Sequence, residues 1–179
     1  YNSINLFKSE TILTEIEVKS LLDKARLYES LSNCQKTKKL RVIRNHLSGE
    51  ISSPIVDPTT IPYVVFAFRS SKNFDKILLD IADWLKSNNQ KATFQDLPDM
   101  IVVLRGGKKK QDGFALVKHK SWYAAGLELK QLYEEIYGNP LFPLLTYLTT
   151  LIENWASNPN AYAWPSTRYL PQIDNNDYF

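Results

Sequence analysis

The chain has 179 residues, 44% hydrophobic and 23% charged, with a formal net charge of +3. That length supports one domain with a sizeable core, and the composition excludes a largely disordered chain. The charge is too small to imply nucleic acid by itself, the single cysteine, Cys34, excludes an internal disulfide framework and fits a reducing cytoplasm, and no apolar run approaches the roughly 18 residues of a membrane span.

No secretory signal is visible. A chain that starts at Tyr1 rather than Met reads as a piece of a longer protein. Residues 10–19 read as a strand with Glu17 and Lys19 two positions apart. Strand side chains alternate, so residues 15, 17 and 19 share a face. A lysine inside an apolar strand is costly unless it is paired or useful. Ser20 followed three residues on by Asp23 reads as a helix start. Leu21, Ala25, Tyr28, Leu31 and Cys34 give an apolar stripe, and the helix should run to about Leu40. Its end is basic, with Lys36, Lys38, Lys39, Arg41 and Arg44. Cations there suit the helix macrodipole; the sharper reading is a phosphate-contacting patch.

Residues 48–62 carry Gly49, Pro54, Pro58 and Pro62 and read as loop. The run from Tyr63 to Phe68 is apolar on both faces, as expected of a central strand. A second helix follows Asn73, with Phe74, Ile77, Leu78, Ile81 and Leu85 inward and Asp75, Lys76, Asp80 and Lys86 outward. Asp99 to Leu104 is the next strand, Arg105 to Gly113 a turn, and Phe114 to Lys118 an antiparallel return. The glycines of that turn lack the spacing of a phosphate loop. Residues 124–137 read as helical. Pro143 opens a last helix, in which Leu141, Leu144, Leu145, Leu148, Ile152 and Trp155 should pack on the core or on a partner. Residues 1–156 are expected to form the domain, with 157–179 as a C-terminal extension. The order β–α–β–α–β–β–α–α argues for a three-layer α/β or α+β domain, a mixed central sheet flanked by helices.

Hydrolysis of a phosphodiester needs a divalent metal, carboxylates to hold it, and a cation that positions water or stabilises developing charge. Glu17 can supply a metal oxygen, the Val18 backbone carbonyl another, and Lys19 the cation. Glu15, on the same face, is an additional acid. A cross-face ion pair between Glu17 and Lys19 is the plain alternative. Gln35 and Lys38 on the first helix could face this strand and aid nucleic-acid contact.

The segment Ile16-Glu17-Val18-Lys19-Ser20, followed at once by a helix, resembles the second half of the PD-(D/E)XK motif of restriction-endonuclease-like nucleases. The wider order, with an apolar strand, a helix and Leu97-Pro98-Asp99 before another apolar strand, is similar to bacterial defence-associated members of that superfamily. Residues 16–22, 63–68 and 97–104 carry the resemblance, within residues 10–118. It implies a restriction-endonuclease-like fold and a Mg2+- or Mn2+-dependent endonuclease acting on DNA, with RNA as the other candidate. It also implies a restriction or anti-phage role in the cytoplasm, as a homo-oligomer or in a larger defence complex. In that reading Glu17 is a metal ligand and Lys19 the catalytic lysine, and Gln35, Lys38, Lys39, Arg41 and Arg44 are candidates for nucleic-acid contact.

The family's first acid lies on a strand upstream of E-x-K. Here the upstream acid is Glu10, too close for a separate strand. Pro98-Asp99 falls after E-x-K and reads as a turn and strand start. The missing aspartate is expected before Tyr1. Without one, the fold would serve as a catalytically inactive module that binds nucleic acid or protein. His46 and His119 have no metal-spaced partners, which argues against zinc. Cys34 reads as core. Lys118, His119, Lys120 and Trp122 read as a strand end, with nucleic-acid stacking as the alternative.

Overall fold

The computed structural model describes residues 12–40, 60–88, 92–106, 113–118, 132–137 and 139–157. In chain order the elements are β1 (Glu15–Lys19), α1 (Lys24–Lys39), β2 (Tyr63–Ala67), α2 (Phe74–Ser87), a 3-10 turn (Phe94–Asp96), β3 (Met100–Val103), β4 (Phe114–Lys118), β5 (Tyr133–Tyr137) and α3 (Leu141–Ser157). The strands form one sheet in sequence order. β1, β2 and β3 are parallel, and β4 and β5 add in antiparallel sense. This is an α/β fold with a mixed sheet.

Alternation along the strands sorts the core into two layers. Tyr63, Val65, Ala67, Ile101, Val103, Phe114 and Leu116 face α1 and α2, where they meet Leu27, Leu31, Cys34, Ile77, Ile81 and Trp84. Val64, Met100, Val102 and Ala115 face the other way and pack against Leu144, Tyr147 and Leu151 of α3. β2 is buried on both faces, as its unbroken apolar run requires. β1 differs: Ile16 and Val18, on its α3 side, are exposed.

Helix starts follow side-chain capping. Asn73 caps α2 by accepting from the Lys76 N–H at 3.2 Å. α1 is capped by Asp23, which accepts from the Arg26 N–H at 2.9 Å, and not by Ser20 as the sequence pattern suggested. The inward stripe is Leu27, Ser30, Leu31, Cys34, Thr37 and Lys38, so Leu31 and Cys34 lie on it as expected, while Ala25 is exposed.

Two further expectations are corrected. Residues 133–137, read as helix, form β5. Tyr-Glu-Glu-Ile-Tyr carries aromatic and β-branched residues, and pairing with β4 satisfies its backbone. Asp80, read as outward, is buried and ion-paired with Lys72. On α3 Pro143, Leu144, Tyr147 and Leu151 are buried, while Leu141, Leu145 and Ile152 are exposed. Gly113 leads into β4 where a Cβ would lie 2.6 Å from the Leu104 carbonyl oxygen, so the hairpin closes there only on glycine. Residues 124–131, His46, His119, Lys120 and Trp122 lie outside the described residues.

Candidate functional site

β1 is followed by a helix that returns across it. Glu15, Glu17 and Lys19 point toward α1, and each meets a helix residue. Glu15 accepts from the Thr37 hydroxyl at 2.8 Å. Glu17 accepts from the Asn33 amide at 3.2 Å. Lys19 donates to Glu29 at 2.8 Å. The contacts run antiparallel, two residues per step on the strand against four on the helix. Two strand residues advance about 6.6 Å and four helical residues about 6 Å, so the two polar rows stay in register. An E-x-E-x-K strand therefore reads a helix written Glu29-x-x-x-Asn33-x-x-x-Thr37.

Glu17 sits at the centre of this ladder. Its Oε1 receives both the Lys19 ammonium, at 2.9 Å, and Asn33. Its Oε2 receives the Tyr63 hydroxyl from β2 at 2.7 Å. Burial works against the carboxylate's charge, but the hydrogen bonds from Lys19, Tyr63 and Asn33 outweigh it and hold the pKa of Glu17 below the ordinary value. Burial also opposes the charge on Lys19, yet Glu29 and Glu17 together push its pKa above normal. Tyr63 is raised by burial and by Glu17, and stays a donor at any physiological pH. The pair is thus a carboxylate and an ammonium. Both side chains are mostly covered, Lys19 13% and Glu17 16% exposed.

The Val18 carbonyl is presented differently. Glu15 donates its N–H to Pro62, and the Lys19 carbonyl accepts from Phe68, so these alternate residues bond to β2. In a parallel ladder the residue between them directs its N–H and C=O to the opposite side. Val18 therefore offers its carbonyl at the edge of β1 away from β2.

The other sequence candidates lie apart from this ladder or outside view. Lys38 is buried, with its side chain 4% exposed, and is ion-paired with Asp99. That ammonium is committed to Asp99. Asp99 also accepts the Tyr63 N–H at 2.7 Å. The literal Pro98-Asp99 is thus a strand start tied to α1 and β2. Gln35 is partly buried, Lys39 is exposed, and Arg41 and Arg44 lie outside the described residues. Lys118 is partly buried and donates to the Leu97 carbonyl at 3.1 Å; burial lowers its pKa to about 8. Cys34 is buried in the core, as expected.

Glu29, Asn33, Thr37 and Tyr63 were not singled out in the sequence. The four-residue polar spacing on α1 is the signal that could have found three of them. Tyr63 carried none, because its hydroxyl meets Glu17 only through strand pairing.

A divalent cation requires several oxygens at once. Glu17 and the Val18 carbonyl are suitable donors by type. Yet no group of three or more His, Cys, Asp or Glu side chains is placed to hold a metal among the described residues. Glu17 would also have to release one of its present donors. The described residues meet the requirement in part. Among them, no helix is long and apolar enough to cross a membrane. Comparison of the chain with protein-family models, with curated proteins and with solved structures returns no match. Fold and site together define an α/β domain with a charged, partly covered ladder on its first strand.

Proposed function

We propose that this chain is a nuclease-type domain that hydrolyses phosphodiester bonds, with DNA as substrate and Mg2+ or Mn2+ as cofactor, in a bacterial restriction or anti-phage setting. One observation carries the reading: Glu17 and Lys19 lie side by side at the end of a strand, beneath the helix that follows it, with Lys19 held as an ammonium. A bound cation would supply Lewis acidity and a more acidic water. The chain's own residues supply the rest. Glu17 and the Val18 carbonyl offer oxygens. Lys19, kept protonated, is unsuited to take a proton; it can hold a phosphate oxygen and offset charge as it builds on the phosphoryl group. Tyr63 and Asn33 fix the orientation of Glu17. Glu15 lies two residues along the same face.

The reading is tested on the full-length protein with supercoiled plasmid and Mg2+ or Mn2+. Wild type should nick or linearise it, and Glu17→Ala and Lys19→Ala should each slow cutting by about a hundredfold or more. No cutting by wild type, or undiminished cutting by either variant, would end it.

A second reading is a catalytically inactive module of the same fold that binds nucleic acid or a protein. It is favoured by the closure of the ladder, in which Glu15, Glu17 and Lys19 all have helix partners. Retention of labelled duplex by the wild-type protein without any cutting would support it over the first.

A further inference from the structure

Lys19 has three N–H donors and no acceptor. Glu17 and Glu29 each take one, at 2.9 and 2.8 Å. The two acids are not equivalent. Glu17 is mostly covered and fixed by Asn33 and Tyr63. Glu29 reaches Lys19 from the solvent side of α1, and its side chain is 60% exposed. Among the described residues, Lys19 is its one ion-pair partner. A pair with one such exposed member contributes little to stability, and holding a long glutamate in a single rotamer costs entropy. Glu29 is thus easily released, while Glu17 is not. An anion approaching Lys19 from solvent meets Glu29 first.

We propose that Glu29 is an internal anion mimic: its carboxylate occupies the place on Lys19 that a nucleic-acid backbone phosphate takes, and the phosphate binds by displacing it. The proposal rests on the reading of Lys19 as the phosphate-facing cation of a DNA-cleaving site, and adds what that phosphate must displace. The exchange is balanced. A carboxylate and a phosphodiester each carry one negative charge and accept a charge-assisted N–H···O bond, so Lys19 stays paired throughout and no covalent bond changes. Glu29 then sets the affinity threshold of the site, and weak anions are kept out. A purely structural Glu29 would affect stability and leave binding alone.

The test measures binding of a short fluorescein-labelled DNA duplex by anisotropy, in EDTA and at fixed ionic strength, so that nothing is cut. Glu29→Gln should bind about tenfold more tightly than wild type. Asp83→Asn, which removes an exposed acid on α2, calibrates the general effect of losing one negative charge and should give a clearly smaller gain. In a Lys19→Met background the Glu29→Gln gain should vanish, as a double-mutant cycle requires of coupled groups. Thermal melts confirm that each variant is folded. A gain equal to that of Asp83→Asn, a gain that persists without Lys19, or no binding by either wild type or Glu29→Gln overturns the proposal. Lysine-dependent tightening together with an uncut plasmid in Mg2+ and Mn2+ upholds the displacement and rejects hydrolysis.

Discussion

Tyr63 ties two polar groups together from within the core. Its backbone N–H holds Asp99 and its hydroxyl holds Glu17. Tyr63→Phe keeps the ring and removes only the hydroxyl bond, leaving a mostly covered carboxylate one donor short. That should cost about 1–2 kcal/mol of stability, measured by urea unfolding at neutral pH. The pH dependence has a definite sign. The folded-state pKa of Glu17 is below its unfolded value of 4.5, so its contribution is present above 4.5 and is lost as pH falls through the folded value. Tyr63→Phe raises that folded value, so the gap between wild type and variant should close as the solution is acidified. An equal stability of the two proteins at neutral pH would show that the hydroxyl contributes nothing. The shared face of Glu15, Glu17 and Lys19 was legible beforehand, because a period of two is a local property of a strand. What stands opposite them was not, because α1 reaches β1 only after the chain has turned.

At the scale of elements, α3 shows how far periodicity reaches. Leucines at 141, 144, 145 and 148 specify a helix under any reading, but they surround too much of it to name one buried face. The sheet makes the choice. Val64, Met100, Val102 and Ala115 receive Leu144, Tyr147 and Leu151, and Leu145 stays exposed. Leu144→Ala should therefore cost about 2–4 kcal/mol, and Leu145→Ala less than about 1 kcal/mol, in matched denaturant titrations. Equal costs would mean that the face is assigned wrongly. β5 teaches the complementary lesson. Its sequence is helix-compatible, and the β4 edge beside it turned it into a strand. For α1, the face that meets the sheet takes Lys38 into the interior, where Asp99 receives it.

At the scale of the whole molecule, Lys38 from α1, Asp99 ahead of β3 and Lys118 from β4 gather at one end of the sheet, opposite the Lys19 end of β1. Burial lowers Lys118 to about 8, with the Asp99 charge working the other way and Lys38 adding to the lowering. Between about 8 and the ordinary value of 10.5, the unfolded chain binds more protons at this position than the folded one, so this group's contribution to stability rises with pH there; above 9 the buried Cys34 thiol, whose pKa burial raises, works the other way. The gain is at most about 3 kcal/mol, and Lys118→Met should flatten it. Lys19 acts in the opposite sense only above 10.5, because its folded pKa is raised. Urea titrations from neutral to alkaline pH check both the slope and its loss. Equal slopes for wild type and Lys118→Met between about 8 and 9 would place Lys118 in water.

The sequence by itself determined the repeating units: the strand faces, the interior position of β2, the antiparallel return of β4, the helical character of α1, α2 and α3, and the shared side of Glu17 and Lys19. Each depends on residues a few positions apart, where backbone geometry alone decides. The tertiary structure decided which of several apolar faces is buried, that residues 133–137 pair as a strand, that Lys38 is committed to Asp99, and that Glu29 pairs with Lys19. Those outcomes depend on groups brought together from distant parts of the chain. Desolvation makes such a group pair wherever a partner is available, and only the assembled sheet and helices determine where that partner lies.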